Sequence, residues 1–259
     1  MSVPPPSLGA RALAEGLGTG LLVVAVVGSG IAAQRLSPDD VGLQLLESST
    51  ATALALVALI VTFGAVSGAH LNPVVTLAER LRRRIDTRAA IAYAAAQVLG
   101  GCLGTVAANV MFELPAVDWS TTDRATGAHV FAELLATFGL LTVIFGAVHT
   151  GRPDRAAVAV AGYIGAAYWF TSSTSFANPA VTLARTLSDS FAGIAPASAP
   201  AFVAAQLAGA LLAVAAARVL FTSEEAHDAR PQLPQPRPDA GPANGGQQPA
   251  QRIRGHVLD

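Results

Sequence analysis

Two short stretches carry the residues whose types and spacing suit chemistry on a passing molecule. One reads Ala69-His70-Leu71-Asn72-Pro73-Val74-Val75-Thr76-Leu77-Ala78, the other Phe176-Ala177-Asn178-Pro179-Ala180-Val181-Thr182-Leu183-Ala184. Asn is a favoured N-cap, and Pro is favoured at the first helical position, where its missing N–H would be unpaired anyway. Each stretch therefore predicts the start of a short helix with an amide side chain at its mouth. Such a start exposes N–H donors and the positive end of a helix dipole. A water or hydroxyl oxygen meeting two such starts finds donors and a positive potential, whereas cations and protons are repelled. The chain shows no nucleophile–base pair, no metal-ligand set and no phosphate-binding glycine loop. No catalytic residue, metal or cofactor is expected, and the enzyme reading is set aside.

The elements that position these starts are apolar. Of 259 residues, 52% are hydrophobic and 13% charged. Apolar segments near 12–33, 50–67, 89–112, 129–149, 155–172 and 198–221 have the roughly 17–24 residues needed to cross about 30 Å of hydrocarbon as helices. Both Asn-Pro stretches close such a segment, so their non-helical approach lies at membrane depth. Backbone of that kind is tolerated there only when packed in protein or lining a wet cavity. Six crossings place both termini on one side. Arg80, Arg82, Arg83, Arg84 and Arg88 crowd the second connection, and Arg152 and Arg155 sit in the fourth. Arg35, Arg124 and Arg185 at the other end are diluted by acids. The positive-inside rule then predicts cytoplasmic termini. The first segment is long enough to stay as a span rather than be cleaved as a signal peptide. A net charge of −1 gives no footprint for nucleic acid, and the one cysteine, Cys102, reads as a small buried apolar residue.

The chain also repeats itself. Ala14-Glu15 and Thr19 in the first span are echoed by Ala132-Glu133 and Thr137 in the fourth, and Ala95-Ala96-Gln97 in the third by Ala204-Ala205-Gln206 in the sixth. The order span, span, half-helix, span occurs twice, over about 11–112 and 128–222. Three crossings per unit turn the second copy upside down. The expectation is an all-α membrane protein of six transmembrane helices plus two half-helices in an inverted repeat, with the pathway at the midplane where the half-helices meet. Residues 1–10 read as a disordered lead. The Pro-, Gln- and Gly-rich segment 223–259 reads as a disordered cytoplasmic tail.

The paired Asn-Pro boxes, the mirrored Glu15 and Glu133 and the six-plus-two order resemble the aquaporin or major intrinsic protein family over about residues 11–222. The resemblance implies one pore per subunit, a homotetramer in the cell membrane, and passive flux of small neutral solutes. The pore residues would be Asn72, Pro73 and Val74 from the first box and Asn178, Pro179 and Ala180 from the second. Glu15 and Glu133 would accept backbone N–H groups of the box-bearing loops, consistent with an intramembrane carboxylate that faces protein and has partners.

Two departures from the family pattern stand out. Val74 occupies a position that is usually Ala, which is a packing change beside the constriction. Val181 follows the second box where most members carry an Arg that narrows the outer pore. Counting from the boxes, the other outer-filter positions fall on Thr52, Ala166 and Ser175. No Arg, His or aromatic side chain is then expected in the filter, and the constriction should be wide. The expected solutes are glycerol, urea, neutral trihydroxides such as arsenous acid, and water. A metalloid follows from resemblance alone, since members lacking this Arg occur in bacterial arsenic-resistance settings.

Arg185, one helical turn beyond Val181 on the same face, admits two readings. Either its guanidinium folds back over the mouth and restores a charge there, or it is a solvated arginine at a helix end. His70, two residues before the first box, lines the inner half-pore or braces the loop. His129 and His149 are too scattered in sequence for a ligand set. Tyr168, Trp169 and Phe170 read as span-end or packing aromatics. Two rival functions were weighed. A gradient-coupled secondary transporter needs ion ligands or a relay carboxylate beyond the two bracing Glu residues. A non-conducting structural membrane protein needs more external surface than these short outer loops provide.

Overall fold

In the computed structural model, residues 5–151 and 155–221 are described. The tail 223–259, residues 1–4 and Arg152 lie outside them. Eight α-helices form the membrane unit: α1 (Leu8–Leu36), α2 (Val41–Ser67), α3 (Pro73–Leu81), α4 (Thr87–Met111), α5 (Gly127–His149), α6 (Ala156–Phe170), α7 (Pro179–Ala184) and α8 (Ala199–Leu220). Five of them are long and apolar enough to cross a membrane, and α6 is a shorter apolar helix of 15 residues. The chain is a multi-pass membrane protein, with α3 and α7 as the two half-helices.

Side-chain caps explain where most helices begin. Ser7, Asp40, Asp86 and Thr126 each accept from a backbone N–H three residues on, satisfying donors that a helix start otherwise leaves orphaned. The cap at Ser7 sets the start of α1 at Leu8, so residues 8–10 of the expected lead are helical. The cap at Asp40 likewise starts α2 nine residues before the apolar segment that marks it in the sequence. There, Gln44 reaches the Ser37 carbonyl and Ser37 reaches Glu47, which ties this polar first stretch to the end of α1.

The packing follows the repeat. α1 lies against α2 and α4 as α5 lies against α6 and α8, and α2 meets α6 between the halves. Close approach is a matter of small residues. A Cβ on Gly100 or Gly104 would strike the carbonyls of Gly16 or Gly20 on α1, and a Cβ on Gly209 would strike that of Leu134 on α5. Without a hydrophobic drive between helices in lipid, such backbone-to-backbone fit is what holds spans together. The half-helices cross over: α3 packs on α4, α7 and α8, while α7 packs on α1, α4 and α8. Each half therefore inserts its short helix between long helices of the other half. At the end opposite the Arg80–Arg88 cluster, the connections 112–126 and 188–198 are laced together. Asp118 and Ser120 donate to the carbonyls of Leu187 and Thr186, and Ala195 donates to that of Thr122.

Candidate functional site

The site is built from two loops that end in the two boxes. In the first, Asn72 caps α3 by accepting from the Val74 N–H at 3.0 Å. In the second, Asn178 caps α7 by accepting from Ala180 at 3.0 Å and Val181 at 3.3 Å. Each amide nitrogen also reaches across the midplane: Asn72 Nδ2 donates to the Ala177 carbonyl and Asn178 Nδ2 to the Leu71 carbonyl, both at 2.8 Å. The two boxes thus clasp one another. One N–H of each amide is committed to the clasp, and the second remains for the cavity that both Asn residues line. The sequence alone suggested amides wholly free to face the lumen; the reciprocal clasp is the correction.

The loops reach this geometry by paired backbone strain. Ala69 and Leu71 have φ of 47° and 49°, and Ser175 and Ala177 have φ of 50° and 46°. These are the positions three and one before each Asn, in the left-handed region that side chains with a Cβ rarely occupy. The payoff is a cradle of successive N–H groups that suits an anion. Glu15 fills the first: Oε1 accepts from the His70 amide at 2.9 Å and the Ser67 hydroxyl at 2.6 Å, and Oε2 from Leu71 at 2.6 Å and Gln97 at 2.8 Å. Glu133 fills the second, accepting from Phe176 and Ala177 at 2.9 Å each and from Gln206 at 2.6 Å. Gln97 and Gln206 continue to Thr76 on α3 and Thr182 on α7. Sequence reading placed the two Glu residues but gave no role to Gln97, Gln206, Thr76 or Thr182. Their signal was present: a Gln in each of two echoed apolar spans is a buried amide that needs a partner.

A cavity of about 740 Å³ runs past both boxes. On the Arg80–Arg88 side it is bounded by His70, Val75, Glu79, Val148 and Ala156. On the opposite side it is bounded by Thr52, Ile164, Tyr168, Ser175, Phe176, Val181 and Arg185. Its walls are mainly apolar, contributed by residues such as Leu22, Val26, Leu56 and Leu140. Val74 does not line it. That side chain is fully buried with Leu141, Phe145 and Ala213 between α3, α5 and α8, so its extra methyls face packing rather than lumen. His70 lines the cavity while Nδ1 meets Thr76 Oγ1 at 3.1 Å and its ring stands edge-on to Tyr93.

At the neck, Thr52, Ser175 and Val181 line the cavity, and Ala166 does not. Ala166 is exposed on the outer face of α6. The lining residues of that helix are Ile164 and Tyr168, each two positions away and therefore rotated by about 200°. Counting back from the box assumes a fixed connection, and here α6 ends at Phe170 with an eight-residue approach to Asn178. The expectation of a neck without aromatics is corrected at the same time. Tyr168 is in it, its hydroxyl 3.1 Å from Thr52 Oγ1. Ser175 Oγ is buried and has no partner among the described residues. Beyond the neck Arg185 is buried, 3% exposed, with its guanidinium carbon 3.4 Å from the centroid of the Phe176 ring and its Nε donating to the Ala192 carbonyl. The solvated helix-end reading does not describe it. His129 meets the Arg124 carbonyl, and His149 packs on Phe221 at the other end of α5.

A half-helix pair clasped at the centre of an inverted repeat, with a lined passage between, agrees with what comparison returns. The sequence profile of the Major intrinsic protein (MIP) family matches residues 6–172. The chain belongs to the major intrinsic protein family. The match takes in the first box and ends before the second, whose geometry comes from the structure. The chain is 46% identical over 232 residues to "Aquaglyceroporin AqpS" of Rhizobium meliloti (strain 1021), covering 90% of this chain and 97% of that one. It is 30% identical over 222 residues to "Glycerol uptake facilitator protein-like 6" of Lactiplantibacillus plantarum, covering 82% and 98%. The X-ray structure of the aquaglyceroporin from Plasmodium falciparum matches with a TM-score of 0.65 at 22% identity, over 83% of this chain and 97% of that one, which speaks for the fold. This major intrinsic protein is a passive transmembrane channel for small uncharged solutes and not an enzyme.

Proposed function

We propose that the channel conducts solutes larger than water, namely glycerol-like polyols, urea and neutral metalloid hydroxides such as arsenous acid, with water accompanying them. The observation that carries this reading is Val181 at the neck. An aliphatic side chain lines the passage at the position where the family resemblance places an Arg, and Thr52, Ile164 and Ser175 complete a wall that carries no charge at that level. The two names reported for bacterial relatives, an aquaglyceroporin and a glycerol uptake facilitator-like protein, point the same way. In operation, a polyol turns its carbon backbone to the Leu22, Val26, Leu56 and Leu140 wall and its oxygens to the remaining N–H groups of Asn72 and Asn178. The converging positive ends of α3 and α7 oppose cations at the midplane. We further propose that four copies assemble in the cell's inner membrane, with the Arg80–Arg88 end and both termini in the cytoplasm.

Stopped-flow light scattering on proteoliposomes tests the substrate reading, with water, glycerol, urea and arsenite compared in one preparation. Val181→Arg is expected to lower glycerol and urea permeability about tenfold while lowering water less, because added bulk and charge narrow the neck. Equal passage of the larger solutes through both forms would remove the reading.

A further inference from the structure

Arg185 is a buried cation that the protein leaves incompletely partnered. Among the described residues, both ion pairs involve Glu79, far away at the Arg80–Arg88 end, and none involves Arg185. Glu133, the intramembrane acid of the same half, commits both its oxygens to Phe176, Ala177 and Gln206. The Arg185 guanidinium is held instead by the face of Phe176 below it and by one bond from Nε to Ala192. Its two terminal nitrogens have no hydrogen-bond partner among the described residues, and neither is sealed from solvent. The residue lines the cavity one turn past Val181. A buried charge without a counterion is costly unless something compensates it, and here the open side of the guanidinium faces the solute path.

Bracing the outer loops does not account for it. That task falls to Arg124, whose Nε donates to the Gly193 carbonyl at 2.8 Å and whose Nη2 donates to that of Phe191 at 3.2 Å. Arg124 also stacks near Phe176, 5.4 Å from the ring centroid, but does not line the cavity. Two arginines thus share one aromatic ring, one turned to the loop and one to the passage.

We propose that Arg185 is a specificity-determining residue of the outer vestibule. Its terminal N–H groups, a planar fork of fixed geometry, bind the oxygens of polyhydroxylated solutes before they reach the Thr52–Val181 neck, and its charge keeps monovalent cations out. Selection is then divided between two levels: charge and donors at Arg185, size at Val181. Phe176 sets the level of the charge by carrying the guanidinium on its face. This inference rests on the proposed passage of glycerol.

The test reconstitutes the full-length wild type, Arg185→Lys, Arg185→Gln and Arg185→Met into liposomes, measuring glycerol flux and potassium leak in each. Arg185→Lys is expected to keep potassium out as wild type does. Arg185→Met is expected to raise the leak about tenfold, as loss of a nearby unit charge in a low-dielectric mouth requires, and to slow glycerol severalfold. Adding Val181→Arg to Arg185→Met should restore cation exclusion. A purely structural role would lower the unfolding temperature of the variants without a leak that follows charge. If Arg185→Met matches wild type in both fluxes, or if Arg185→Lys leaks as Arg185→Met does, the proposal is wrong. Should Arg185→Met fail to reconstitute, the contrast of Lys with Gln decides by the same criterion. A wild type that passes no glycerol above protein-free liposomes refutes the polyol reading instead; cation exclusion by Arg185 is read separately from the leak.

Discussion

Replacing Glu133 by Gln removes a charge and one acceptor while nearly conserving shape. The Phe176 N–H binds one carboxylate oxygen; the Ala177 N–H and the Gln206 amide bind the other. Whichever oxygen becomes an NH₂ group, at least one backbone N–H then faces a donor. With the NH₂ on the Ala177 side, two buried donors lose their acceptor. At about 1–3 kcal/mol for each unsatisfied buried group, the loss is about 2–6 kcal/mol, of which a turn of the Gln206 amide recovers one bond. That is enough to release the left-handed turns at Ser175 and Ala177, because such backbone persists only when its surroundings over-determine it. Loss of the second loop also loosens the Asn72–Ala177 clasp. Thermal unfolding in detergent should show a fall of roughly 4–20 °C, with glycerol flux reduced in parallel. Glu113→Gln, at an exposed acid beyond α4, serves as the control and should change neither. An unfolding temperature within a degree or two of wild type, with normal flux, would refute the bracing argument.

Further outcomes are expected elsewhere. Gly104→Leu should abolish stable assembly of the fold, since even a Cβ meets the Gly20 carbonyl on α1; recovery of folded protein in normal yield would contradict the packing account. Tyr168→Phe removes the bond to Thr52 and should cost about 1 kcal/mol in an unfolding measurement, while easing passage of urea; slower urea flux would count against Tyr168 as a neck residue. At the laced outer end, the Ala125 amide, followed by the Ser198 hydroxyl, holds the Asp123 carboxyl below its ordinary value of 3.8. The stabilisation this gives is present above that value and is lost as pH falls through the lower folded one. Asp123→Asn should therefore flatten the acid limb of the stability–pH curve below about pH 4, and an unchanged limb would contradict this.

Much of the architecture was legible because it rests on local chemistry. Asn before Pro caps a helix wherever it stands, and apolar length with arginine-rich ends marks spans. The parts that were not legible depend on how distant segments meet. Ala166 was placed in the neck by counting, but a two-residue change in where α6 joins its loop turns the helix by more than half a circle and brings Ile164 and Tyr168 inward. Nothing in the types of Ala69, Leu71, Ser175 and Ala177 announces positive φ, which glycine ordinarily signals. Only the N–H groups converging on Glu15 and Glu133 explain it. Arg185 is buried because the connection 188–198 closes over it and Phe176 lies beneath, contacts that no spacing encodes. Gln97 and Gln206 stood in plain sight within the repeat and were passed over as echoes rather than as amides needing partners.

The central claim is that solute moves between the two boxes along the wall formed by Thr52 and Val181. Single cysteines at Val181 and at Ala166, each in a Cys102→Ala background, provide the direct measurement: glycerol flux before and after a small thiol-reactive methanethiosulfonate. The account predicts that modification at Val181 blocks most of the flux and that modification at Ala166, on the outward face of α6, leaves it unchanged. Undiminished flux through a fully modified Val181→Cys channel would contradict it.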